Sequence, residues 1–173
     1  MKLAQTILNP KSIIAGIIAA VLIVGLSGCG NPERIAARQK FKEAIAAIKV
    51  RTQDSTYPEF RQAELDLETS YEANKTYLAD VSNQFANLDA LVKATDYFWS
   101  KNIQYPNVPI YIGNKTDLEE IQVISPEANI MEKIKLPAAQ TKGDPDFFPK
   151  NYVPRGLAKI NDQAEVLLNL LAK

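Results

Sequence analysis

The strongest constraint in this sequence is an apolar stripe of ten positions, Leu67, Tyr71, Asn74, Leu78, Val81, Phe85, Leu88, Val92, Thr95 and Trp99, spaced alternately by three and four residues. Eight of the ten are apolar, against 46% apolar residues in the chain as a whole. Such spacing places every member on one side of an α-helix and demands a helical partner for that side. No proline or glycine interrupts residues 59–104. The spacing therefore predicts one helix over 58–102, about 60 Å long. A break near Asn74-Lys75-Thr76 is the alternative, and Asn74 then marks the break rather than fixing the register of the stripe.

Two other segments show the same period. Asn31 suits a helix N-cap, Pro32 the first helical position and Glu33 the positive helix end. Ile35, Phe41, Ile45 and Ile48 then line one side of a helix over 32–52, and "TQDSTYP" (52–58) reads as a turn with Ser55 or Thr56 as the next cap. At the far end Leu157, Ile160, Ala164, Leu167, Leu168 and Leu171 mark a last helix over 154–173.

Charge fixes the expected pairing. Residues 32–51 are mostly basic, and residues 54–72 carry six acids against Arg61. An antiparallel hairpin would place Arg38 near Glu72, Lys42 near Glu68 and Arg51 near Glu59. Exposed pairs of this kind contribute only about 0–1 kcal/mol each, so they specify register more than stability.

Residues 103–153 differ, with prolines at 106, 109, 126, 137, 145 and 149. This segment is expected to be irregular, with short strands at "VPIYIG" and "IQVIS", a short helix at "PEANIMEKIKL" (126–136), and a loop beyond it. The expected fold is all-α: a single domain over 32–173, built as a helical hairpin, a proline-rich crossover and a returning C-terminal helix, in a three- to four-helix bundle.

The N-terminus has a different logic. Residues 1–12 carry Lys2 and Lys11 and no acid, and residues 13–26, "IIAGIIAAVLIVGL", are all apolar or glycine. As a helix this run would reach about 21 Å, short of a membrane's roughly 30 Å hydrocarbon core. A charged start, a short apolar stretch and small residues follow the order of a secretory signal. The closing "LSGC", Leu26-Ser27-Gly28-Cys29, resembles the lipobox of bacterial lipoprotein signal peptides. That resemblance covers residues 1–29 and implies a signal peptide over 1–28, cleavage between Gly28 and Cys29, and a diacylglyceryl group on the Cys29 thiol. It implies a membrane-anchored protein of the cell envelope whose lipidated start, 29–31, leads directly into the first helix. Gly30, rather than an acid, matches the outer-membrane sorting pattern of enteric lipoproteins. The protein would then face the periplasm from the outer membrane of a Gram-negative host, or lie on the outer face of the plasma membrane otherwise. Loss of Lys2 and Lys11 takes the balance of 20 cations and 20 acids to a mature net charge of −2.

Composition narrows the function. The chain has no histidine and one cysteine, Cys29. That removes Ser–His and Cys–His nucleophile pairs, internal disulfides and thiolate metal clusters. A net charge of zero argues against nucleic acid as a partner. "VPIYIGNKTDLEE" is similar to the guanine-specificity segment of small GTPases, with Asn114, Lys115 and Asp117 in the N-K-x-D places. No phosphate-binding loop accompanies it, so no nucleotide is expected. "GDPDFFPKN" offers Asp144 and Asp146, too few oxygens for a calcium loop, so a solvated turn and no metal or cofactor are expected.

The remaining candidate is aromatic. Tyr97, Phe98 and Trp99 step about 100° apart around a helix and cannot all face one neighbour. Trp99 lies on the stripe. Either residues 103–153 fold back over the others, with Tyr105, Phe147, Phe148 and Tyr152 as partners, or Tyr97, Phe98, Trp99 and Tyr105 form a patch that grips a protein partner. The expected function is that of a non-enzymatic envelope lipoprotein that binds or stabilises a protein partner. The rival is a small-molecule carrier or enzyme with a pocket between the second helix and residues 103–153.

Overall fold

The computed structural model describes residues 31–106, 115–128 and 149–173. The chain divides into two units, residues 1–35 and 36–173. In the first, Asn31 caps a helix: its Oδ1 accepts the Glu33 amide at 3.0 Å, and its carbonyl accepts the Ile35 amide at 3.1 Å. This helix, α1 (Pro32–Arg51), continues into the second unit. The expectations at Gly28 and Cys29, the strand at "VPIYIG", the later part of "PEANIMEKIKL", and Asn114, Asp144, Asp146, Phe147 and Phe148 all lie outside the described residues.

The second unit is an all-α bundle, with no strand among the described residues. After α1 come α2 (Tyr57–Asn74), α3 (Ser82–Gln104), the short α4 (Lys115–Ile124) and α5 (Tyr152–Leu171). The order of contacts gives the topology. Phe41 meets Tyr71 (5.6 Å between ring centres) while Arg51 meets Glu59 (3.5 Å), so α1 and α2 are antiparallel. Phe60 meets Trp99 at 5.3 Å while Tyr71 stacks on Phe85 at 3.8 Å, so α2 and α3 are antiparallel. Phe98 stacks on Tyr152 at 4.9 Å while Gln163 Nε2 donates to the Gln84 carbonyl at 3.3 Å, so α5 runs back along α3. Arg38 donates to the Leu170 carbonyl and Lys49 pairs with Glu165, which closes the ring of four between α5 and α1.

The single helix expected over 58–102 is therefore two. Two 3₁₀ turns, Lys75–Tyr77 and Ala79–Val81, separate α2 from α3 and reverse the chain. Asn74 Nδ2 donates to the Ser70 carbonyl at 2.7 Å, the local bond by which asparagine competes with helix continuation. Ser82 Oγ donates to the Ala79 carbonyl at 3.0 Å, and Arg38 holds Asp80 at 2.8 Å. Leu78 and Val81, at the turn itself, are fully buried and plug the end of the core. At the opposite end, Ser55 Oγ donates to the Arg51 carbonyl (2.6 Å). The Glu59 carboxylate accepts both the Thr56 amide (2.8 Å) and its hydroxyl (2.9 Å), a capping box that starts α2.

The described part of residues 103–153 is helical where strand and loop were expected. "IQVIS" is not a strand: Ile121 and Ile124 are buried at helical spacing, and Val123 faces outward. With Leu118 packed beside them they form a second, smaller core with Ala94, Phe98 and Tyr152. A 3₁₀ turn, Pro126–Ala128, follows α4, and another, Pro149–Asn151, leads into α5 two residues earlier than expected.

Gly156 fixes how closely α5 approaches α3. A Cβ there would lie 2.0 Å from Thr95 Oγ1 and 3.0–3.1 Å from the other Thr95 side-chain carbons. Thr95 is itself fully buried, with its hydroxyl bonded to the Leu91 carbonyl at 2.7 Å, so it has nowhere to turn. Gly156→Ala should therefore destabilise the bundle by about 1–3 kcal/mol despite alanine's better helix propensity. Thermal melts would check this. Adding Thr95→Ala should recover part of the loss, and equal melting of Gly156→Ala and the parent would disprove the close approach.

Candidate functional site

The aromatic residues at the end of α3 divide their work. Phe98 is fully buried against Tyr152, so the expectation that it joins a contact patch is corrected: it is core of the second cluster. Tyr97 is half-buried, edge-on to Phe98 at 5.2 Å, with Lys101 Nζ 5.5 Å from its ring centre. Trp99 packs on Phe60 and Tyr57 at 5.3 and 5.9 Å. Tyr105 is 55% exposed and covers none of them. Of the partners expected to fold back over the aromatics, Tyr152 does so.

Asp117, the acid of the N-K-x-D resemblance, is fully buried at the start of α4. It accepts the Tyr97 hydroxyl at 2.5 Å and Lys101 Nζ at 2.5 and 2.6 Å. Its carboxylate clasps α4 to α3 and is not presented to a base. Lys115 is exposed and pairs with Glu119 at 3.3 Å.

What the structure does assemble is a charged groove of about 390 Å³ where α2, α3 and α4 meet. Four carboxylates line it, Glu64 and Glu68 from α2, Asp96 from α3 and Glu120 from α4, against the two cations Arg61 and Lys93. Tyr97 and Ser100 complete its wall. A smaller hollow of about 230 Å³ beside Tyr71 and Phe85 shares Glu68 and Lys93 with it.

The charges are arranged in bridges. Arg61 reaches Glu64 at 2.5 Å and Asp96 at 3.1 Å, and Lys93 reaches Asp89 and Glu68 at 2.8 Å each. Glu64 is 2% exposed. Burial raises its affinity for a proton above the ordinary carboxylate value, in spite of Arg61 and with help from the Asp96 charge. Burial, and then Glu119, raises that of Glu120. In the other direction, Asp89 and then Glu68 hold Lys93 protonated well above the usual lysine range. Asp96 Oδ1 is buried with no hydrogen-bond partner. The groove thus carries more negative charge than its own cations neutralise.

Glu64, Asp96 and Glu120 were not singled out from the sequence, although one signal was present. Phe60, Glu64, Leu67 and Tyr71 continue the 4–3–4 spacing of the stripe, so a glutamate occupies an apolar position. Among the described residues, no group of three or more acids, histidines or cysteines is placed to hold a metal ion, and no helix is long and apolar enough to cross a membrane. No family model, curated protein or solved structure matches the chain.

Proposed function

We propose that this protein is a non-enzymatic lipoprotein of the cell envelope, held to its membrane through Cys29, whose helical bundle binds a basic segment of a protein partner along the α2–α3–α4 groove. In a Gram-negative host its place is the periplasmic face of the outer membrane. The observation that carries the binding reading is the imbalance of the groove, four carboxylates against two cations on a half-open face. Such a surface attracts cations, accelerates encounter with a basic partner and repels acidic ones. The anchor rests on the lipobox resemblance. The groove replaces the aromatic patch as contact region, because Phe98 is core and Tyr97 is engaged with Asp117.

A second reading has one specific support. The groove lies between α3 and α4, the helix within residues 103–153, and its volume falls in the range of small-ligand sites. A small organic polycation would suit its charge.

Both readings are tested by titrating the detergent-solubilised chain with an oligolysine peptide and with spermine. The peptide should bind in a salt-sensitive way. Glu68→Lys with Glu120→Lys should weaken it by about tenfold or more while the melting temperature holds. Spermine binding tightly, and the peptide no better per charge, would favour the carrier. Binding of neither, or binding unchanged by the double substitution, would refute the groove as a site.

A further inference from the structure

The Arg61 guanidinium spans the groove between α2 and α3. One nitrogen, Nη1, donates to Glu64 Oε2 at 2.5 Å and to Asp96 Oδ2 at 3.1 Å. The three side chains differ in burial. Those of Glu64 and Asp96 are 3% and 17% exposed, whereas that of Arg61 is 45% exposed. The carboxylates are thus built into the wall, and the cation is laid over them from the solvent side. A buried carboxylate left without a counter-charge is strongly destabilising, so this place calls for a cation. The packing does not require that cation to be Arg61, which belongs to neither core and can swing into water without opening them.

The bonding is also incomplete. A guanidinium carries its N–H donors in a planar fork that matches the two oxygens of a carboxylate with parallel bonds. Arg61 applies a single nitrogen to both acids, and the other Asp96 oxygen, Oδ1, is buried with no hydrogen-bond partner.

We infer that the Glu64–Asp96 pair is a guanidinium site, which Arg61 fills in the free protein as a tethered stand-in and which an arginine of the partner's basic segment takes over. The inference rests on the basic-segment reading of the groove and deepens it: the anchoring residue of the partner is arginine rather than lysine.

Arg61 stands three residues from Glu64 on the same helix, and from there it meets the pair with one nitrogen. An arginine arriving from solution is free of that tether, so its fork can meet both oxygens of Asp96 and satisfy Oδ1. A lysine ammonium is compact, strongly hydrated and without a fork, and gains less from a desolvated carboxylate pair. The tethered cation also sets a threshold. While Arg61 is seated, apparent affinity is lowered to the fraction of molecules in which the site stands open. Lys93, the other cation of the groove, is engaged with Glu68 and Asp89 at 2.8 Å each and serves as the control.

The test is titration of the full chain in detergent with oligoarginine and oligolysine peptides of equal length, at one salt concentration. The parent should prefer oligoarginine, and Asp96→Asn should erase the preference. Arg61→Ala should raise the affinity for oligoarginine by about tenfold or more. Lys93→Ala removes the same charge from the same groove, and should raise affinity less and equally for both peptides. Millimolar ethylguanidinium should raise the melting temperature of Arg61→Ala and not of the parent, and ethylammonium of neither. If neither peptide binds the parent or Arg61→Ala, the groove reading falls and the inference with it. If both bind, but equally, or if Arg61→Ala weakens oligoarginine or only matches Lys93→Ala, the inference alone is overturned and the groove reading stands. Should Arg61→Ala not fold, nitrogen NMR of the parent decides. At saturation with oligoarginine the Arg61 guanidinium signals should move to those of a free side chain, and signals that stay in place refute the exchange.

Discussion

Phe85→Ala should cost the bundle about 3–5 kcal/mol, enough to remove a large part of the stability of a domain this size. Phe85 lies at the centre of the main core, 7% exposed, stacked on Tyr71 at 3.8 Å and edge-on to Phe41 at 5.6 Å. Three helices converge on this one ring, α1 through Phe41, α2 through Tyr71 and α3 through Phe85 itself. Truncation would leave a cavity that none of them can close without losing its other contacts, since Phe41 is fully buried. Loss of the paired-ring geometry adds about 0.5–1.5 kcal/mol to what area alone predicts. The measurement is denaturant unfolding at constant slope. A loss below about 1 kcal/mol would put Phe85 outside the core and remove the α2–α3 reversal as drawn. In that comparison Leu65→Ala is a useful reference, because Leu65 is 42% exposed and should cost little.

The helical class was legible because the stripe needs no tertiary information. Leu67, Leu78, Val81, Leu88 and Val92 are all buried where a 3–4 period puts them. The reversal at 75–81 was not, and for a definite reason. The interruption spans seven residues, one heptad, so the stripe passes through it in phase. Leu78 and Val81 are buried whether they belong to a helix or to the plug at its end. No proline or glycine punctuates the turn, and only the local chemistry of Asn74 and Ser82 marks it. Pattern alone weighs burial, whereas the break is decided by side-chain bonds to backbone carbonyls.

The charge pattern was partly legible. Arg51 meets Glu59 as the hairpin register required. Arg38 instead holds Asp80, and Glu68 is held by Lys93. Both changes follow from the reversal: once α3 returns along α2, its lysine is nearer the acids of α2 than the basic face of α1 is. The groove was hidden for the same reason. Its four carboxylates come from three helices, and only Glu64, a charge on an apolar stripe, departs from its local pattern. The second core was hidden by composition, since prolines on either side of Lys115–Ile124 suggested irregular chain where ten residues form a helix.

The largest effect of all is expected at Cys29. Cys29→Ser replaces the thiol that would carry the diacylglyceryl group with a hydroxyl, a far weaker nucleophile that cannot form the thioether. Under the lipobox reading the signal protease acts on the lipidated form, so the variant should accumulate as an uncleaved precursor with no acyl label. Membrane fractionation alone is the wrong readout. The precursor keeps the fourteen-residue apolar run 13–26, which by itself associates with a bilayer. Size and label separate the cases. Mature protein should be shorter by residues 1–28 and should incorporate labelled fatty acid. A single acyl chain holds a protein only marginally, at about 0.8 kcal/mol per buried methylene, whereas the two chains of a diacylglyceryl group hold it stably. Mature Cys29→Ala protein, made without residues 1–28, should therefore leave the membrane entirely and remain folded. It should also keep its affinity for the oligolysine peptide, because the groove lies within residues 61–120. If Cys29→Ser instead yields mature-sized protein held in the membrane, the anchor lies elsewhere and the envelope assignment fails, while the groove and its binding test stand unaffected.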